Sequence, residues 1–362
     1  RKAEDSGPDD SDFLSRHSFL AAQRGFYLPD VSIVSQGAQI SLSAKSRDVP
    51  YTDIRFRRSA YKLIDREPVE AELARFVNEV CEHLQEGEVV ESYLQDCWNS
   101  VRETPSDAQK YCSLIGALGL SPYADNPKID AIIDELEERI GYALTLDLCL
   151  VSKPSDLESA SRTALMAIGQ AHNSEVIQLD KLGSVKAPSD NLSLPGWRRG
   201  VFAAQQLRST LNIADDDPRG ADRVFERLKI DPSRRAHIGD NDFQAEGAEI
   251  VGAAFRHEGH DAQLSFLQRH EPQRRFSAAR GLFSAWASEK PAMHLLTQAV
   301  TRYQQANRAF AAELCAPIGV IRKYAADHTI RYDDVDDVSS LLTIGGDVIV
   351  KQADNWGIRL TH

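Results

Sequence analysis

Half of the ten histidines lie between residues 237 and 294, and His257-Glu258-Gly259-His260 is their tightest group. Two imidazoles and a carboxylate are the parts of a hydrolytic metal site. The histidines hold the dication and the glutamate takes a proton from the metal-bound water. The spacing works against that chemistry, because three residues across a glycine turn do not converge side chains as four residues along a helix do. A surface histidine group in a hairpin loop is therefore the expectation, with a rerouted zinc site of His257, Glu258 and His260 as the alternative. His237, His270 and His294 stand apart from it. Ser284 near His294 is no sign of a catalytic triad, since any helix end supplies such a pair.

Other chemistries lack their patterns. The chain has no G-x-x-x-x-G-K-[ST] for a nucleotide phosphate, no G-x-G-x-x-G after a strand and no G-x-S-x-G for a serine hydrolase. Asp215-Asp216-Asp217-Pro218 invites a metal reading, but acidic residues before a helix suit the positive end of its dipole. Cys81, Cys97, Cys112, Cys149 and Cys315 are scattered, odd in number and without a C-x-x-C pair, so they read as small buried hydrophobes. His17 and Trp98 are expected to pack or cap.

Two helices dominate the second half. The first runs through Arg275-Phe276-Ser277-Ala278-Ala279-Arg280-Gly281-Leu282-Phe283-Ser284, and the second ends Ala306-Asn307-Arg308-Ala309-Phe310-Ala311-Ala312-Glu313-Leu314-Cys315-Ala316-Pro317. Together they resemble the core of the ImmA/IrrE family of bacterial zinc metallopeptidases. There the first helix reads R-F-x-x-A-H-E-x-x-H and the second A-N-x-F-A-A-x-L-x-x-P. Phe276 and Ala279 set the register, so Arg280 and Ser284 stand at the two histidine positions and Gly281 at the glutamate. A guanidinium has no lone pair to give and stays charged, glycine moves no proton, and a lone serine hydroxyl is a poor zinc ligand. The resemblance places an acidic third ligand just before Ala306, where Arg302, Tyr303, Gln304 and Gln305 offer no carboxylate. Arg308-Ala309 makes the second helix one residue longer than the family spacing, which leaves its register open by one position.

The resemblance implies a zincin-like domain that has lost its HExxH chemistry and needs no cofactor. It further implies a cleft kept as a binding surface, with Arg280 an anion or carboxylate contact or a salt-bridged remnant. Active members of the family act on repressor or antitoxin partners in stress responses and mobile-element control. A degenerate member is expected to be a regulatory protein acting through a repressor, an antitoxin or a phage-defence component.

The chain as a whole sets limits on this. Its 362 residues, 42% hydrophobic and 27% charged, are those of a globular protein with two or three domains. No apolar run approaches the roughly 20 residues that span a bilayer. Arg1 to Asp12 is polar and acidic, without the apolar core of a signal peptide, so a cytoplasmic protein is expected. A net charge of −12 opposes phosphate neutralisation, and the clusters Arg55-Phe56-Arg57-Arg58, Arg198-Arg199, Arg234-Arg235 and Arg274-Arg275 read as solvated faces. Nucleic acid is a disfavoured partner, no membrane is expected, and homo-oligomerisation stays open.

The fold class expected is α+β and mostly helical. A disordered tail, 1–13, precedes a small α+β domain, 14–86, where Val31–Val34 and Gln39–Ser43 read as strands, Ile54–Tyr61 as another, and Pro68 opens a helix. A helical region follows over 87–190, then a linker at Asn191–Gly196. The ImmA/IrrE-like domain, 195–362, has helices at Trp197–Leu211 and Arg219–Leu228 and a hairpin of Ile250–Phe255 and Leu264–Leu267 about Gly259. It ends in an acidic helix from Asp333, a Gly345-Gly346 turn and a last helix, Val348–Trp356. That final pair resembles a helix-turn-helix. Lys351 is its one cation, so packing is the leading reading and a DNA-binding regulator the other alternative.

Overall fold

The computed structural model describes residues 17–22, 25–36, 39–87, 92–105, 108–183, 196–233, 249–299 and 301–361. The expected tail, most of the linker, Arg234-Arg235 and His237 lie outside these. The chain divides into two compact units, 1–133 and 134–362. Helices in the stretch 87–190 are shared between them.

In the first unit, β1 (Asp30–Gln36), β2 (Gln39–Lys45) and β5 (Ala60–Asp65) form an antiparallel sheet in the order β1-β2-β5. Ile33 pairs with Leu42, the register that alternating apolar residues require. The single strand read over Ile54–Tyr61 is in fact two. β3 (Arg47–Asp48) pairs with β4 (Arg55–Phe56), and only from Ala60 does the chain join β2. Between them the Ser59 hydroxyl takes the Ser46 backbone N–H at 2.9 Å, a bond outside either ladder. The helices α1 (Arg66–Glu86), α2 (Tyr93–Glu103) and α3 (Gln109–Ala117) follow. Trp98 Nε1 donates to Asn78 at 2.7 Å, and His17 Nδ1 meets the Ile33 carbonyl at 3.0 Å. Both are structural contacts. The helix α4 (Pro127–Ile140) spans the boundary between the units.

The second unit is built on a four-stranded antiparallel sheet in the order β6-β8-β7-β9, from β6 (Ile177–Gln178), β7 (Ile250–Arg256), β8 (Asp261–Phe266) and β9 (Ala292–Thr297). The expected hairpin is β7–β8, with Gly259 at φ 73° in the turn, where a Cβ would be strained. β6 and β9 escape periodicity reasoning because one is two residues long and the other, Ala-Met-His-Leu-Leu-Thr, does not alternate. Before the sheet come α5 (Tyr142–Cys149) and α6 (Leu157–His172).

Side chains alternate across β8, and that places the helices. Ser265 donates to the Ala167 carbonyl of α6, while Leu264 lies against Gly281 of the helix α9 (Glu271–Trp286). Consecutive residues face opposite sides, so α6 covers one face of the sheet and α9 the other. The remaining helices are α7 (Gly196–Thr210), α8 (Gly220–Leu228), α9 (Glu271–Trp286), α10 (Arg302–Cys315), α11 (Ile318–Tyr324), α12 (Tyr332–Leu342) and α13 (Gly346–Asn355). Ala221, Val224, Phe225 and Leu228 make the buried stripe of α8 at helical spacing.

α7 and α10 cross at Gly200, where an added Cβ would stand 2.7 Å from the Phe310 nitrogen and closer still to the Ala306 carbonyl oxygen. Only glycine permits that approach. Arg208 of α7 is 1% exposed and gives its guanidinium to the carbonyls of Leu314, Ala214 and Asp217. The acidic turn 215–217 is thereby a backbone clamp, with Asp216 paired to Lys323 at 2.7 Å and Asp217 to Arg223 at 3.1 Å. The Asp216 and Asp217 carboxylates are thus spent on cations of the chain itself.

The last two helices begin near where the sequence places them, α13 two residues earlier. Asp334 accepts from the Arg331 backbone N–H in the first turn of α12, a carboxylate at the positive end of the dipole. The short strands β10 (Thr329–Arg331), before these helices, and β11 (Arg359–Thr361), after them, pair in parallel. No helix among the described residues is long and apolar enough to cross a membrane.

Candidate functional site

Arg280 is the centre of the site. Its side chain is 1% exposed, with α10 on one side and the end of β9 on the other. Nε donates to Asn307 Oδ1 at 2.8 Å, and Nη2 donates to Gln304 Oε1 at 2.9 Å and to the Thr297 carbonyl at 2.5 Å. All three acceptors are neutral. The carboxylate or salt-bridge partner expected for Arg280 is therefore replaced by two side-chain amides and a backbone carbonyl. Burial, with the nearby Arg308 charge, pushes the Arg280 pKa well below the usual guanidinium value, while Tyr303 and Asp147 act the other way.

Gln304 is the hub. Its Oε1 takes Arg280, Asn307 Nδ2 at 3.0 Å and the Thr297 backbone N–H at 3.3 Å. Its Nε2 gives to the Leu295 carbonyl at 2.7 Å and to Asp147 Oδ2 at 2.9 Å. The carboxylate missing just before Ala306 is thus supplied from α5. Nothing in the local pattern around Asp147 marks it: it sits in the apolar run Leu146-Asp147-Leu148, where one polar residue reads as a surface position. Burial raises its pKa to about 6, against hydrogen bonds from Gln304 and Thr301 and the charges of Arg308 and Arg280, which pull it down. Arg308 donates to the Thr297 carbonyl at 3.2 Å, and burial lowers its pKa to about 10.

The other two motif positions of α9 are equally closed. Ser284 is fully buried and donates to the Arg280 carbonyl one turn back at 3.0 Å. At Gly281 a Cβ would stand 3.1 Å from Leu264 Cδ2 and 3.6 Å from Leu296 Cδ1, so the leucines of β8 and β9 hold the space a glutamate would need. The cleft expected along this face is absent at Arg280, Gly281 and Ser284, because the sheet and α10 bury all three. Tyr303 points its buried hydroxyl toward Ser284, and burial drives its pKa up.

The Tyr303 ring stacks on His294, with centroids 4.8 Å apart. His294 Nε2 lies 2.6 Å from the Ser288 hydroxyl, and burial lowers its pKa to about 4. Ser288 gives its one proton to the Ser284 carbonyl at 2.8 Å, so the imidazole donates to the hydroxyl and does not activate it. Ser284 itself is not the serine that meets His294.

The histidine group of the hairpin stays dispersed. His257 Nε2 is bonded to Gln263 Oε1 at 2.7 Å and its ring stacks over Phe255 at 6.0 Å. His260 sits past the turn at φ 73°, and His270 precedes α9 as its capping position. Among the described residues no three His, Cys, Asp or Glu side chains converge closely enough to hold a metal ion. Neither the α9 positions nor the 257–260 loop fits zinc. What the Arg280 cluster can do chemically is hold a buried positive charge in place.

No family model, curated protein or solved structure matches the chain.

Proposed function

We propose that the chain is a non-catalytic relative of the ImmA/IrrE metallopeptidases that works as a regulatory protein through protein partners. Residues 195–362 would be a zincin-like domain in which a guanidinium has taken over the metal's place and charge. One observation carries the reading. The side chain at the first-histidine position lies buried between α9 and α10 and binds Gln304, within the stretch before Ala306 where the resemblance puts the third ligand. A cation thus sits between the same two helices that would share the zinc. A fixed cation keeps two helices joined, but it neither polarises a carbonyl on substrate nor generates hydroxide.

The class of partner, a repressor, an antitoxin or a phage-defence component, follows from the family resemblance and from no feature of the site itself. The test is metal analysis with a peptidase assay on untagged protein purified without chelator. We expect no stoichiometric zinc and no cleavage of a folded repressor or antitoxin. One zinc per chain, lost in a His257→Ala, His260→Ala double variant, would overturn the reading in favour of an active enzyme.

A further inference from the structure

We infer that the first unit carries a head-to-tail contact between copies of this chain, in which the basic β3–β4 hairpin of one copy docks on the acidic, apolar face of α1 in the next. The inference goes beyond the pseudopeptidase reading and does not rest on it, since neither face includes a residue of α9 or α10.

α1 is a long helix with an apolar stripe and no burial to match. Val69, Leu73, Phe76, Val77, Val80 and Leu84 recur at helical spacing, the pattern of a helix laid on a core. Yet none of its 21 residues is buried, and Phe76 is 61% exposed. Glu72 and Glu79 fall one turn to either side of Phe76, and Glu86 continues their row along the helix. Arg75 is shared between Glu72 at 2.7 Å and Glu79 at 2.8 Å. Six glutamates against Arg66 and Arg75 leave α1 strongly acidic.

The hairpin has the opposite charge. Arg55, Arg57 and Arg58 are exposed, with Arg55 meeting Asp48 at 4.0 Å. Arg57 and Arg58 form no ion pair among the described residues. The turn between β3 and β4 holds Tyr51 out in solvent. The Val49 N–H donates to the Ile54 carbonyl at 3.1 Å, the Thr52 N–H to the Val49 carbonyl at 3.3 Å, and the Ile54 N–H to the Thr52 hydroxyl at 3.2 Å. Tyr51 is fully exposed in the left-handed region at φ 62°, and Ile54 is exposed near it. Bulky residues seldom occupy that region, and such strained positions cluster at functional surfaces.

Charge selects the occupant. Two α1 helices laid face to face would oppose their glutamate rows, and two hairpins would oppose their arginines. Unlike faces match: Tyr51 and Ile54 meet Leu73 and Phe76, while the arginines meet the glutamate row. Both complements are present in every copy. A contact between unlike faces leaves one of each free at the ends, so copies keep adding unless a ring closes. Exposed ion pairs make the contact sensitive to salt.

Sedimentation velocity on the untagged full chain at up to about 200 μM, in low salt and in about 0.5 M salt, reads this. We expect the average mass to rise at least about twofold in low salt and to return to one chain in high salt. Arg57→Glu with Arg58→Glu removes the hairpin face, and Phe76→Glu removes the helix face. Each variant should stay monomeric and melt like the parent, because all three residues are exposed. The deciding sample is an equal mixture of the two. The first keeps its helix and the second its hairpin, so one contact survives and the mass should stop at two chains. Should one fail to fold, Tyr51→Ser replaces the hairpin variant and Glu79→Lys the helix variant. A parent that stays monomeric in low salt, association untouched by either variant, or a mixture that stays monomeric while the parent associates would overturn the contact.

Discussion

Replacing Arg280 by methionine tests whether the buried guanidinium is held by its neighbours in the way the geometry says. The donors it removes serve three acceptors, but two keep other partners. Thr297 O retains Arg308 at 3.2 Å, and Gln304 Oε1 retains Asn307 Nδ2 and the Thr297 N–H. Only Asn307 Oδ1 is left without a donor, at about 1–3 kcal/mol for a buried unsatisfied acceptor. Relief from burying a charge offsets part of the lost charged hydrogen bonds, while Asp147 loses a nearby cation.

The net expectation is a loss of about 2 kcal/mol, less than the roughly 3–5 kcal/mol typical when half of a buried ion pair is deleted. Urea unfolding at pH 7 followed by circular dichroism should show it as a midpoint lowered by about 1 M, for a slope near 2 kcal/mol/M. Because the orphan is Asn307, adding Asn307→Leu to the Arg280→Met background should recover about 1 kcal/mol. An Arg280→Met protein at least as stable as the parent would refute the reasoning, as would a double variant weaker than the single one.

Three further outcomes are expected. Gly200→Ala forces α7 and α10 apart at the Ala306 carbonyl and should cost at least about 3 kcal/mol, read as a lowered Tm; an unchanged Tm would show that the helices do not meet there. Glu313 is 3% exposed between Gln205 and Gln352, and burial raises its pKa. Its contribution to stability is thus present below the ordinary carboxylate range and lost as pH rises, and Glu313→Gln should flatten that slope in a pH series of denaturation curves. The outward face of α13 sets Asp347 and Asp354 against Lys351, so mobility shifts at two salt concentrations should show no salt-sensitive DNA complex for Lys351→Glu to abolish.

Much of the frame was legible because it is local. Periodicity marked α7, α8 and the β7–β8 hairpin, and the glycine turn and the acidic first turn of α12 have chemistry that depends on adjacent residues alone. The chemistry of Arg280, Gly281 and Ser284 was legible for a similar reason. Residue type by itself says that a guanidinium, a bare Cα and a hydroxyl do not make a zinc site. What partners those residues have is a different kind of fact.

Only the folded chain brings Asp147 to Gln304, across an interval of 157 residues. It alone gives the guanidinium of Arg280 to two amides and a backbone carbonyl, and fills the glutamate's space with Leu264 and Leu296. Which strand lies on which side of α9 likewise follows from sheet pairing, not from any one segment. Side-chain identity is a property of position along the chain. Burial, and the pKa shifts that follow it, belong to whatever non-adjacent segments exclude water there.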